Sequence, residues 1–402
     1  MNILFLSLSR FDDINAAGIY SDLMRELVRR GHEVYIASPT ERRFGKPTRL
    51  VSSGKCHILK IKTLNIQKTN VIEKGIGTLL LGTQFNRAIR KYWGGVKFDL
   101  VLYATPPITF NKVIERVKKR DGARSYLMLK DIFPQNAVDL GMMKEGSLLH
   151  RMFRLKESRL YAISDRIGCM SPANCRYVVD HNPKVDPAKV ELCPNSTDEL
   201  PLKPFTLDER AEILSTNGLP ADKTIFIYGG NLGKPQGIDF LLRAMEANEG
   251  RTDSHFVVIG SGTERPRIAE WFRRHNPSNA TLLEALPPEE YNRLAKACDV
   301  GLIFLDPRFT IPNFPSRLLS YQQNAMPVLL ATDPNTDMGR IAEAEGFGLW
   351  CLNGDLDKFM ANVDRLAADP ELRKRMGQAA RRHFLANYTT PSTADILEKF
   401  IK

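Results

Sequence analysis

The chain holds 402 residues, 43% of them hydrophobic and 26% charged, with a net charge of +11. That length exceeds what one ordinary core organises and predicts two domains. No run approaches the roughly 20 apolar residues of a spanning helix, and ILFLSL (3–8) is shorter than a signal-peptide core and meets Asp12 and Asp13 at once, which predicts a cytoplasmic protein.

NILFLSL (2–8) reads as a short buried strand. Tyr20, Leu23, Met24, Leu27 and Val28 then recur at helical spacing. RRGHEV (29–34) stops that helix with basic residues and Gly31, and leads into a second strand, EVYIASP. Further strands are predicted at CHILKIK (56–62), DLVLYAT (99–105), SYLMLKD (125–131), RIGCMS (166–171) and VELCPN (190–195), with helices between them. STDELPLKPFTLDERAE (196–212) is polar, lacks strand periodicity and reads as the interdomain linker. The alternation restarts with TIFIYGG (224–230), HFVVIGSG (255–262), ATLLEAL (280–286), VGLIFLD (300–306), PVLLATD (327–333) and FGLWCLN (347–353). A long last helix is predicted from about 370 onward.

Strands alternating with helices predict α/β architecture with parallel sheets covered on both faces. Two doubly wound domains are expected, 1–200 and 201–384, with 385–402 packing back on the first. Such a pair would face a crevice at the carboxyl ends of its strands. Charge is uneven: residues 1–200 carry a net +13 and residues 201–402 a net −2. The first half therefore suits an anionic partner, whether nucleic acid, phospholipid or a phosphorylated substrate. The six cysteines form no C-x-x-C pair and no cluster with histidine, which predicts reduced, mostly buried thiols and no structural zinc.

Two turns carry the strongest chemical signal. In FTIPNFPSRLLSY (309–321), Asn313 is placed to cap a helix and Pro315 to occupy its first position. The amides of Ser316 and Arg317 would then point outward beside the Arg317 guanidinium, a ready site for a diphosphate. The alternative is a plain connection with an exposed arginine. In YGGNLGKPQGIDFLLRAM (228–245), Gly229, Gly230 and Gly233 follow a strand and let backbone approach a ligand, with Lys234 adding charge. One glycine-rich turn is a weak signal; two in one domain are stronger. In the first domain Lys130 and Asp131 fall at the carboxyl end of a strand. There Asp131 suits an acceptor hydroxyl or a developing positive charge, unless it only caps the next segment. The segment VIEKGIGTLLLGTQFNRAIRKYW (71–93) has Ile72, Ile76, Leu79 and Leu80 on one stripe and Phe85, Ala88, Ile89 and Tyr92 on another. Lys74, Arg87, Arg90 and Lys91 lie off both stripes. An interfacial membrane helix and a core helix both read this way.

The chain resembles retaining sugar-nucleotide glycosyltransferases of the GT-B fold, family 4, of the bacterial capsule and O-antigen type, similar to L-fucosamine transferases. The resemblance rests on RGHEV, KDIFPQNAVDLGM (130–142), PNSTD (194–198), GGNLGKPQG (229–237), PPEEYNRLAKACDVGL (287–302) and NFPSRLLSY with MPVLLATD, in that order. It implies catalytic roles for Asp131 and Lys130, and donor contacts at Gly18, Gly230, Asn231, Lys234, Gln236, Leu286, Asn313, Ser316, Arg317 and Ser320. The wider family's paired glutamates are replaced by Pro312 and Ser320, and the usual Arg and Lys of the glycine turn by Asn231 and Gln236. Arg317, Lys234 and helix N-termini are left to hold the diphosphate.

The implied activity moves a sugar, with retention, from a nucleoside diphosphate to a lipid-linked saccharide in surface polysaccharide biosynthesis. UDP and an N-acetylated 6-deoxyhexosamine are expected on family grounds, with no cofactor and no metal. Peripheral contact with the inner face of the plasma membrane is expected through 71–93 and the basic first half. The alternatives are a GT-B nucleotide-sugar epimerase and a non-catalytic protein binding nucleic acid or another anionic ligand. Nucleic acid is not expected, since no recognition motif is present.

Overall fold

A computed structural model describes residues 1–66, 69 and 71–401, without the side chains of residues 71, 72 and 74. The chain divides into two compact units, Met1–Asp198 with Thr390–Lys402, and Glu199–Thr389.

Unit 1 begins with β1 (Asn2–Leu6), α1 (Ile19–Arg29), β2 (Glu33–Glu41), β3 (Arg49–Ser53), β4 (Cys56–Thr63) and α2 (Val71–Trp93). It continues with β5 (Leu100–Ala104), α3 (Asn111–Asp121), β6 (Arg124–Leu129), α4 (Gln135–Asp139) and α5 (Leu148–Ile163). β7 (Arg166–Cys169), α6 (Pro172–His181) and β8 (Val190–Leu192) complete its first segment. The sheet runs β3-β4-β2-β1-β5-β6-β7-β8. Its parallel strands are near-continuous apolar runs because both faces are covered; Ile3, Phe5, Leu100 and Leu102 are fully buried. The exception is β3, an exposed antiparallel edge strand that the sequence reading did not anticipate. It reaches β4 through a two-residue turn at Gly54–Lys55, where Gly54 has φ +54°, the hairpin geometry glycine favours. RIGCMS ends as a strand at Cys169, because Ser171 instead caps α6 by accepting from the Asn174 amide ahead of Pro172.

Unit 2 comprises α7 (Leu207–Thr216), β9 (Thr224–Asn231), α8 (Ile238–Ala247), β10 (Ser254–Ser261), α9 (Arg265–His275) and β11 (Ala280–Leu283). α10 (Pro288–Ala297), β12 (Val300–Phe304), α11 (Arg317–Gln323), β13 (Val328–Thr332) and α12 (Met338–Ala344) follow. β14 (Gly348–Leu352), α13 (Leu356–Ala368) and α14 (Pro370–Asn387) close it. Its six strands are all parallel in the order β11-β10-β9-β12-β13-β14. The expected linker is helical from Leu207, since Thr206 and Glu209 form a capping box. The last helix is two helices: α14 ends at Asn387, and α15 (Thr390–Ile401) packs against α1 in unit 1.

The 71–93 helix uses its two stripes differently. Leu81, Phe85, Ile89 and Trp93 are buried, and Phe85 packs on Phe110 with ring centroids 4.8 Å apart. Gly82 belongs to this packing, because a Cβ there would stand 2.6 Å from the Thr109 carbonyl oxygen. Ile76, Leu79 and Leu80 are exposed; the side chains of Ile72 and Lys74 lie outside the described residues. Among the described residues no helix is long and apolar enough to cross a membrane. The six cysteines are free, and all but the half-buried Cys175 are buried.

Candidate functional site

Unit 2 gathers several of the expected donor residues at the carboxyl end of its central strand. β9 runs through Gly229 and Gly230 to Asn231, one residue past the predicted strand. Gly229 has no room for a side chain: a Cβ would meet the Tyr291 hydroxyl at 2.1 Å. Gly230 has φ +113°, a conformation open to glycine, and the facing Gly260 would drive a Cβ to 1.9 Å from the Gly230 carbonyl oxygen. The strand then turns through Lys234–Gln236 into α8, with Gly237 at φ +56° before the first helical residue.

Arg317 closes this turn. Its Nη2 donates to the Gln236 Oε1 at 2.9 Å and to the Asn231 carbonyl at 3.4 Å. The guanidinium carbon stands 4.2 Å from the centre of the Tyr228 ring, a cation–π contact worth roughly 0.5–2 kcal/mol. Tyr228 donates to Gln236 Oε1 and to the Asn231 carbonyl, each at 3.2 Å. Tyr321 donates to the Ile227 carbonyl at 3.0 Å and accepts from the Gly229 amide at 3.2 Å. Burial pushes the Tyr291 hydroxyl up to about 12 and raises Tyr228 and Tyr321 above the usual phenol value, so all three rings stay neutral near pH 7. The guanidinium therefore meets dipoles and a ring face but no carboxylate among the described residues. Its Nη1 is buried with no hydrogen-bond partner among the described residues, and so is Ser320 Oγ one turn further along α11.

The local helix start differs from the expectation. α11 begins at Arg317 with Ser316 before it, and no side chain caps it. Asn313 lies upstream, its carbonyl accepting from Thr336 Oγ1 at 2.6 Å, while Pro315 sits in the turn and accepts from the Leu318 amide at 3.3 Å. The loop is tied down through Thr336 and through the Asp306 amide, which donates to the Pro235 carbonyl at 3.0 Å. Arg317 itself thus supplies the charge at this corner, and the seven-residue α11 does not act as a dipole site. Lys234 is exposed at the start of its turn. Leu286 is half-buried and lines a cavity of about 280 Å³ with Glu212, Glu290 and Arg293.

In unit 1, Lys130 and Asp131 stand just past the end of β6, and the Thr105 hydroxyl accepts from both amides, at 3.1 and 3.3 Å. Asp131 Oδ2 accepts from Asn136 Nδ2 at 2.6 Å. Burial raises the Asp131 carboxyl to about 6, against the lowering effect of the Ile132 amide and Asn136. Lys130 is directed inward: its Nζ donates to the Cys193 carbonyl at 2.9 Å, and burial lowers its pKa. Among the described residues no cation pairs with the Asp131 carboxylate at the strand end. Thr105 also lines a cavity of about 120 Å³ with Ser7, Ser9 and Tyr20. Gly18 precedes α1, but its amide donates to Asp22 Oδ1 at 3.0 Å and faces a carboxylate. His32 and His150 are engaged within the fold, by Glu398 and by the Gly146 amide.

Sequence reasoning missed Tyr228, Tyr291, Tyr321, Thr105 and Asn136. Tyr228, Tyr291 and Tyr321 all lie inside quoted segments, but nothing in those segments distinguishes them from core aromatics. Among the described residues no three His, Cys, Asp or Glu side chains gather as a metal site would require.

Comparison with known proteins agrees with the two-unit division. Residues 20–199 match Glycosyltransferase Family 4, and residues 209–383 match Glycosyl transferases group 1. The chain is 25% identical over 262 residues to the probable glycosyltransferase WbjE of Pseudomonas aeruginosa, covering 64% of this chain and 63% of that protein. It is 21% identical over 276 residues to the putative colanic acid biosynthesis glycosyl transferase WcaI of Escherichia coli, covering 67% and 65%. These matches span less than two thirds of either relative. Among solved structures, sucrose-phosphate synthase from Thermosynechococcus elongatus superposes with a TM-score of 0.77 at 17% identity, over 99% of this chain and 98% of that one.

Proposed function

We propose that this chain, which belongs to glycosyltransferase family 4 with the GT-B fold, moves a sugar from a nucleoside diphosphate to a lipid-linked saccharide with retention of configuration. The observation that carries the reading is the half-buried Arg317 at a glycine-rich strand end, whose Nη1 is buried with no hydrogen-bond partner and no carboxylate beside it among the described residues. A cation partly withdrawn from water without a counter-ion carries a desolvation cost, and a diphosphate supplies the missing negative charge.

Arg317 and Lys234 neutralise the charge that grows on the leaving diphosphate, and the open backbone around Gly230 lets the phosphates come close. Preorganised cations and dipoles aimed at developing charge contribute more than any other effect in many enzymes. The expectation of a metal-free reaction rests on these two cations. Ser320 Oγ offers a donor for a phosphate or sugar oxygen. On unit 1, Asp131, ionised above its pKa of about 6, orients the acceptor hydroxyl. UDP as the nucleotide and an N-acetylated 6-deoxyhexosamine as the sugar rest on the family resemblance. WcaI's name supports a place in saccharide biosynthesis, and the exposed Ile76, Leu79 and Leu80 of α2 support peripheral contact with the inner membrane face.

The test incubates the protein with UDP-sugar and a lipid-linked saccharide, then reads the new anomeric centre by NMR. Transfer with the donor's anomeric configuration retained is expected. An epimerised sugar formed from donor alone, or no reaction with any nucleoside diphosphate sugar, overturns the reading.

A further inference from the structure

α5 needs one buried stripe, and it has one: Glu157, Leu160 and Tyr161 face the core, and Phe153 packs on Phe133 at 4.9 Å. It also carries a second apolar stripe that is mostly exposed. Leu148 and Leu155, two helical turns apart, are 86% and 73% exposed, Leu149 is 52% exposed, and Met142, in the segment that leads into α5, is 65% exposed. Scattered apolar side chains are ordinary on a surface; a contiguous group rimmed by charge marks a contact site.

The rim is basic and selectively unpaired. Arg154 and Arg159 of α5 are neutralised by Glu157 and Glu115. Lys144, Arg151 and Lys156 form no ion pair among the described residues, and Glu145 is the one exposed acid in the 142–156 segment. α5 packs beside α3, and α3 packs beside α2. Lys112, Arg116 and Lys119 are exposed on α3, so a basic helix runs between the α5 stripe and the exposed Ile76, Leu79 and Leu80 of α2. An apolar stripe flanked by unneutralised cations has the composition that lies in an anionic lipid interface. A symmetric pairing of two copies through this face would set the same cations against each other.

We infer that the outer face of α5, from Met142 to Leu155, is a docking surface for an anionic phospholipid bilayer, with α3 and the N-terminal half of α2 beside it. The inference rests on the reading that the acceptor is lipid-linked, and it adds a surface outside the 71–93 helix.

The full chain is sedimented with vesicles of phosphatidylglycerol and phosphatidylethanolamine, and separately with phosphatidylcholine vesicles, in the absence of donor and acceptor. Wild type is expected to bind the anionic vesicles and to bind the neutral ones at least tenfold more weakly. Each cation near an anionic surface contributes roughly fivefold. Lys144→Glu with Arg151→Glu, and separately Leu148→Gln with Leu155→Gln, should therefore each lose at least tenfold in vesicle affinity. Both pairs should leave Tm and transfer to a water-soluble acceptor unchanged, since these side chains are mostly exposed. Leu79→Gln with Leu80→Gln measures the share of α2 alone. Variants that bind like wild type overturn the proposal. So does sedimentation velocity in which Leu148→Gln with Leu155→Gln dissociates a dimer, the sign that a second copy covers the stripe. Wild type that binds vesicles but transfers no sugar overturns the proposed function alone; wild type that transfers sugar but ignores vesicles overturns this inference alone.

Discussion

Each unit holds near the end of a parallel strand a charged group that forms no ion pair among the described residues, and these two groups, Arg317 and Asp131, differ in sign. In unit 2 the charge is Arg317, held by a glutamine, a carbonyl and a tyrosine face. In unit 1 it is Asp131, whose carboxylate accepts from the Asn136 side chain and the Ile132 amide. Neither forms an ion pair among the described residues. A fold can neutralise such a group cheaply with one neighbouring residue, and the nearby Lys130 illustrates the point by turning to a carbonyl instead of to Asp131. The difference between the units teaches how an α/β scaffold sorts chemistry: one strand end awaits an anion, the other a proton donor or developing positive charge.

The comparison breaks most visibly at Asp131. Asp131→Asn keeps the size and the Asn136 contact but removes the charge, and we predict a fall in kcat of about 100-fold or more, the scale of a positioned acid–base group. In wild type, kcat/KM should rise with pH to a plateau above about 6, as the raised carboxyl ionises. A flat profile between about pH 5 and 8 contradicts the role. On the unit 2 side, Gly229→Ala pushes a methyl group into the Tyr291 hydroxyl. We predict a loss of about 1–3 kcal/mol in chemical denaturation, the usual cost of overpacking, with unfolding of unit 1 unaffected.

A smaller effect sharpens the contrast through stability. The native Asp131 pKa of about 6 lies above its ordinary value of 3.8, so between those values the native state binds more protons than the unfolded one. Stability from this residue is present below the ordinary value, falls as pH rises through that window, and stays lower above it. Asp131→Asn should thus raise Tm by a few degrees at about pH 8, from about 1–3 kcal/mol, and by nothing near pH 4. Smallest is Tyr228→Phe, which removes one donor from Gln236 and Asn231 but keeps the ring under Arg317. A loss of about 1 kcal/mol in stability is expected, with UDP affinity changed less than threefold.

Much of the fold was legible because both sheets are largely parallel and buried, so their strands stand out as apolar runs punctuated by glycine and proline. What escaped has local causes. β3 is exposed, so it lacks the apolar run that marks its neighbours. Thr206 and Glu209 form a capping box inside a stretch whose prolines and polar residues read as linker. Asn313 and Pro315 have the chemistry of a helix start, but Thr336 takes the Asn313 carbonyl and delays the helix to Arg317. The Arg317 setting was only half visible. Gly230, Gln236 and Arg317 are close enough to named motifs to be suspected. Tyr291 comes from α10, outside both turns, and Tyr321, one helical turn past Arg317 on α11, carries no sign in the sequence that its hydroxyl meets the Gly229 amide.

The most direct test of Arg317 as the diphosphate grip is calorimetric titration of UDP, with uridine as control, into wild type, Arg317→Ala and Arg317→Lys. Hydrogen bonds to charged groups contribute about 1.5–3 kcal/mol, so Arg317→Ala should weaken UDP roughly 10- to 150-fold. Arg317→Lys should weaken it less, and uridine should be indifferent to both. UDP binding equally well to wild type and Arg317→Ala would contradict the assignment.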